Sequence, residues 1–134
     1  MRRSIVRSMM AAAFTLAGCY TGPSTKDFRP ATTPRGVGAR IELHHRSLSG
    51  ELLEVRDTAF VLYDDAGTGL VLLPFSAVAG ARFDEIGSYS GGTPDAEWSV
   101  KLRQVSRYPY GMSPSVLQAL LANAHQAELH VVTQ

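Results

Sequence analysis

Apolar and polar positions divide the chain into an unpatterned front and a patterned body. Through Arg40-Ile41-Glu42-Leu43-His44 they alternate with the two-residue period of a half-buried strand. A turn around Arg46-Ser47-Leu48-Ser49-Gly50 follows. Glu51 to Arg56 then alternates again, which predicts Leu53 and Val55 on one face and Glu54 and Arg56 on the other. Asp57-Thr58 is a tight connection into Ala59-Phe60-Val61-Leu62-Tyr63, and Asp64 to Gly69 is a turn rich in aspartate and glycine. Leu70-Val71-Leu72-Leu73 is continuously apolar, so it predicts a strand covered on both faces and stopped by Pro74. A single turn over Phe75 to Gly80, of 3₁₀ type, leads to a fifth short strand at Ala81-Arg82-Phe83. Five short strands in about 45 residues predict a small antiparallel barrel.

The last third has a different rhythm. Asp84 to Glu97 carries Gly87, Gly91, Gly92 and Pro94 and predicts a loop. Trp98-Ser99-Val100-Lys101-Leu102 fits a strand by alternation and a short helix by the spacing of Trp98, Leu102 and Val105, with the helix slightly favoured. Tyr108-Pro109-Tyr110-Gly111 is a turn bearing two aromatics. Ser113-Pro114 then starts a helix over about 113–127, because serine caps free amides and proline fits the first helical position. Val116, Leu117, Leu120, Leu121 and Ala124 form its apolar stripe, with Gln118, Asn123 and Gln126 facing away. Such a helix must cover something, and closing an open end of the barrel is the expected use; a contact with a partner or a second copy is the alternative. Glu128 to Val132 adds a final edge strand. The fold class is thus mainly β with a C-terminal amphipathic helix, in one domain over 39–134.

The front lacks this patterning. Tyr20 to Gly38 contains three prolines, three glycines and four threonines, a composition unable to bury enough surface to fold. Residues 19–38 therefore read as a tether, with a reach of roughly 25 Å if flexible. Before it come Arg2, Arg3 and Arg7, then an apolar run from Met9 to Ala17, about half the roughly 20 residues of a membrane-spanning helix. A basic region, an apolar region and a small-residue cleavage site make residues 1–18 a secretory signal peptide.

That signal ends in Leu16-Ala17-Gly18-Cys19, which resembles the bacterial lipoprotein box. The resemblance implies a diacylglycerol on the Cys19 thiol, cleavage before Cys19 and acylation of the new amino terminus. Cys19 is the only cysteine, so it has no disulfide partner, and lipidation accounts for it. The implied place is the exported side of the cell envelope, held to a membrane by lipid. Tyr20, where enterobacterial sorting uses aspartate for inner-membrane retention, favours the outer membrane. A second resemblance covers roughly residues 39–84. Arg40-Ile41-Glu42-Leu43, then Ser49-Gly50-Glu51-Leu52-Leu53-Glu54-Val55, then Phe60-Val61-Leu62 and Leu72-Leu73-Pro74 are similar to the Sm-like and SH3-like small barrels. The Sm family binds RNA through a turn that here reads Asp57-Thr58-Ala59 and lacks the family's asparagine, so no RNA-binding role is carried over.

Charge changes the picture once the signal is set aside. The whole chain has 13 basic and 12 acidic residues, but three of the basic ones lie in 1–18, so the 116 residues that follow carry 10 against 12. A slightly acidic body has no electrostatic footprint for nucleic acid or anionic lipid headgroups.

Candidate chemistry is sparse. His44 and His45 are adjacent and would point to opposite faces of a strand, and neither His125 nor His130 supplies metal-ligand spacing, so no metal site and no cofactor are expected. The acidic pairs Asp64-Asp65 and Asp84-Glu85 sit at predicted turns, where aspartates are usually solvated. No nucleophile elbow or phosphate loop is present. Trp98, Tyr108 and Tyr110, with Tyr89, are candidates for a binding surface or for packing between barrel and helix. The sequence therefore points to a non-catalytic binding or assembly-supporting lipoprotein. Its expected partners are the membrane through the lipid anchor and another envelope protein or the cell wall. A small envelope enzyme or regulator using the turn carboxylates and a structural subunit of an envelope complex are the alternatives.

Overall fold

The computed structural model describes residues 35–133. The expected signal peptide over 1–18, the lipobox-like Leu16-Ala17-Gly18-Cys19 and the expected tether up to residue 34 lie outside the described residues. Strands run over Gly38–Glu42 (β1), Ser47–Val55 (β2), Ala59–Asp64 (β3), Gly69–Pro74 (β4), Gly80–Phe83 (β5), Gly87–Tyr89 (β6) and His130–Val131 (β7). A 3₁₀ turn at Phe75–Ala77 joins β4 to β5, and the helices are Ala96–Val105 (α1) and Pro114–Asn123 (α2). The protein is mainly β, with one sheet in the order β6-β5-β1-β2-β3-β4-β7. All neighbouring pairs are antiparallel except β4 and β7.

The five predicted strands are present, but the closed five-stranded barrel is corrected. Closure requires β4 to pair with β5. Here the second side of β5 is taken by β6 and that of β4 by β7, so the sheet ends in two edges. β6 itself lies in the stretch expected to be loop, as the return arm of a tight turn at residues 84–86.

Two clusters bury the two faces of this sheet. The larger holds Ile41, Leu52, Phe60, Leu62, Leu73 and Phe83, all but sealed from solvent. Burying each such side chain contributes about 1.5–3 kcal/mol. Within it, Phe60 meets Phe75 and Phe83 edge-on at 4.8 and 5.6 Å, and Tyr89 stacks on Phe83 at 6.4 Å. α1 covers this side with Leu102 and Trp98, so residues 98–103 are helix. Its start is fixed by Asp95, whose carboxylate accepts from the Trp98 backbone N–H at 2.8 Å.

The smaller cluster joins Leu53, Val61 and Leu70 to Leu121, with Leu117, Leu120 and Tyr108 packed around them. The apolar run Leu70–Leu73 is therefore shared between both cores, as its continuity predicts. α2 covers the second sheet face rather than closing a barrel end. It starts as expected, with Ser113 Oγ accepting from Val116 N at 3.3 Å and Pro114 in the first turn. It stops at Asn123, short of the predicted 127, because His125 takes a left-handed conformation (φ 55°). Gln126 N–H then bonds Leu121 O, and His125 N–H bonds Ala122 O, the double closure of a Schellman turn.

One residue in β2 makes the two-sided arrangement possible. Register with β3 runs Leu52↔Leu62 and then Glu54↔Val61, so Leu53 is extra and forms a bulge. The expected pairing of Leu53 and Val55 on one face is corrected: Val55 stays with Leu52 in the larger core, and Leu53 turns into the smaller one.

Candidate functional site

The bulge also leaves backbone groups at the middle of β2 for other segments. Leu52 O accepts from Arg107 N at 3.0 Å, and Leu53 O accepts from Tyr108 N at 2.9 Å. Leu52 N–H donates to Val37 O, while Val37 N–H donates to Val105 O at the end of α1. The first described residues are thus pinned to mid-β2. Glu51 reinforces the junction: its Oε1 accepts from Gly36 N at 2.8 Å, and its Oε2 lies 3.8 Å from the Arg107 guanidinium. Gly36 is required there, since a Cβ would collide with Leu52 O.

Beside this junction lies a groove of about 500 Å³, walled by Arg35, Glu51, Tyr63, Asp65 and Arg107. Gly38 and Gly50 line it, and they also line an adjoining hollow of about 360 Å³ bounded by Arg40, Ser49, Asp65, Arg82 and Asp84. Gly50 has no room for a side chain, because a Cβ would strike Tyr63 O. On the exposed face Arg40 and Arg82 are direct cross-strand partners. Like charges so placed repel. Glu42, 3.4 Å from Arg40, and the nearby Asp65 and Asp84 offset them. The groove is therefore an open strip of mixed guanidinium and carboxylate groups, suited to a polar ligand or protein surface of mixed charge.

The two acidic pairs divide by role. Asp64 is buried, and its carboxylate holds the β3–β4 turn by accepting from Ala66 N at 3.0 Å and from the Thr68 hydroxyl. It is a structural group rather than the solvated one its turn position suggests. Asp65 and Asp84 are exposed and line one hollow, which the sequence does not bring together. Glu85 sits in the β5–β6 turn at φ 64°.

The aromatic candidates do not share a surface. Trp98 packs on Tyr89 at 5.6 Å against the larger core. Tyr108 packs in the smaller core, with the Arg107 guanidinium 5.7 Å from its ring centre. Tyr110 stands wholly exposed at a turn tip. Burial pushes the Tyr89 hydroxyl up to about 12, and that hydroxyl donates to Gly92 O at 3.1 Å.

His44 and His45 lie in the β1–β2 turn and, like His125 and His130, are exposed. Among the described residues, no group of three or more His, Cys, Asp or Glu is placed to hold a metal ion. No described helix is long and apolar enough to cross a membrane. Glu51 and Arg107 are the residues that sequence reasoning missed, since only the docking of Arg107 N–H on Leu52 O makes them neighbours. Comparison with protein-family models, curated proteins and solved structures found no match.

Proposed function

We propose that this chain is a lipid-anchored protein of the bacterial envelope, whose small β body binds a partner or supports an assembly. The observation that carries the reading is Leu16-Ala17-Gly18-Cys19, preceded by three arginines and an apolar run too short to span a bilayer. Cys19 is the lipidation site, on the exported side of the envelope, with the outer membrane favoured over the inner. The body fits a binding role because its polar groups lie in an open mixed-charge groove, and Asp64 is committed to a turn. Its consecutive strands β1–β5, with a bulged β2 and a 3₁₀ turn between β4 and β5, support reading this part as an SH3-like or Sm-like unit extended by β6 and β7. The partner is another envelope protein or the cell wall.

The anchor is tested by Cys19→Ser in the native host. The variant should leave the membrane fraction; continued co-fractionation would overturn lipid anchoring. The binding role is tested by pull-down from detergent-solubilised envelope, comparing the unsubstituted protein with Asp65→Ala/Arg82→Ala. A specific partner should be lost with the double variant, and recovery of the same partner from both would remove the groove from the interface.

A second reading, a small enzyme or regulator, is favoured by one observation: Asp65 and Asp84 line the same hollow. Hydrolysis of an envelope glycan that disappears on Asp65→Asn and Asp84→Asn would favour it over binding.

A further inference from the structure

The chain leading from Cys19 enters the body at the junction around Gly36. Sixteen positions separate Cys19 from Arg35, so even fully extended this stretch spans no more than about 55 Å. It joins the body beside Arg107: a Cβ on Gly36 would lie 2.9 Å from Arg107 N. Three residues on from Arg107, within about 10 Å along the chain, is Tyr110.

Tyr110 is the most exposed large apolar side chain among the described residues, at 102%. It occupies the third position of a turn closed by Gly111 N–H to Tyr108 O at 3.0 Å, with Gly111 at φ 88°. Turn geometry thus projects the ring away from both cores. Pro109, exposed beside it, stiffens the tip. Around the same junction Arg35 is exposed, and Tyr63 is 40% exposed.

We propose that the Tyr108-Pro109-Tyr110-Gly111 turn is where the body rests on the bilayer, with the Tyr110 ring seated in the headgroup layer. This rests on the lipoprotein reading above. A tyrosine ring suits that depth, because its face is apolar and its hydroxyl stays hydrated. The anchor makes docking intramolecular, at an effective concentration of order millimolar for a short linker, so a weak contact counts. Arg35 adds a guanidinium to meet lipid phosphates.

The test uses the lipidated protein reconstituted in phospholipid vesicles. Cys19 is the only cysteine and lipid blocks its thiol, so Ser113→Cys, which keeps Tyr110, and Arg46→Cys each offer one site for a polarity-sensitive dye. Arg46 is an exposed control in the β1–β2 turn, at the opposite end of that hairpin from Gly38. The dye at 113 should shift to the blue and be quenched by brominated lipid, while the dye at 46 keeps its aqueous emission. Tyr110→Ser should abolish the shift at 113. A protein that floats with the vesicles while position 113 keeps an aqueous spectrum overturns the docking and leaves the anchor standing. Equal shifts at 113 and 46 overturn it as well. A protein that does not float overturns the lipoprotein reading, and the docking with it.

Discussion

Gln126 completes the hydrogen bonding of Leu70 as a neighbouring strand would. Its amide oxygen accepts from Leu70 N–H at 2.7 Å, and its amide nitrogen donates to Leu70 O at 3.0 Å. β7 reaches β4 only from Val71 onward, so the side chain serves the one β4 residue just before it. The Schellman turn at the end of α2 aims Gln126 there, which couples the stop of a helix to the edge of a sheet.

Gln126→Ala should therefore destabilise the body by about 2 kcal/mol, because it orphans a donor and an acceptor on a buried residue. Urea unfolding followed by circular dichroism checks this. Gln126→Glu separates the two bonds: its carboxylate still accepts from Leu70 N–H but faces Leu70 O without a proton to give. That variant should gain stability as the solution is acidified through the carboxyl range, since only the protonated form donates.

His125 carries the left-handed conformation that helix ends usually give to glycine. Its side chain is exposed, so His125→Gly removes strain without opening a hole. The expected gain is about 1 kcal/mol, seen as a melting point several degrees higher. An unchanged or lower melting point would contradict it.

Asp64 and Asp65 should respond unequally to alanine. Asp64→Ala frees Ala66 N–H and the Thr68 hydroxyl at a buried position and should cost about 1–3 kcal/mol. Asp65→Ala is an exposed change and should stay within about 0.5 kcal/mol. Thermal unfolding of the two variants side by side tests the assignment of one carboxylate to structure and the other to the groove.

Tyr89 sets an alkaline limit. Its hydroxyl ionises near 10 when unfolded and at about 12 when folded, because burial disfavours the phenolate. The raised value means its contribution is complete below pH 10 and lost as the pH climbs towards 12. Tyr89→Phe should flatten that loss while giving up the hydrogen bond to Gly92 O. Stability against pH between 9 and 12 reads the difference, and identical slopes would refute it.

Much of this fold was legible in the residues. The alternation around Ile41 and the unbroken run Leu70–Leu73 located strands and even the two-sided burial of β4, while Ser113-Pro114 located α2. What was not legible depends on tertiary partners. The bulge at Leu53 has no local signature, because an extra residue shows only against the register of β3. β6 was hidden because Gly87 opens it and Gly91 and Gly92 follow it, residues that read as loop. Gln126 is polar and follows an amphipathic stripe, so spacing assigns it to solvent. The aromatic candidates were separated for the same reason the barrel is open: a sheet with two covered faces sends Trp98 and Tyr108 to opposite sides. Asp65 and Asp84 lie far apart in sequence, and only the register across β5, β1, β2 and β3 places them along one hollow.

The two rims of the sheet are three and two residues long. A foreign strand that tried to extend the ladder would find few backbone groups to zip onto before the chain turned away. Molecules crowded side by side therefore lack a template for polymerisation, and the body keeps its own identity at high local density.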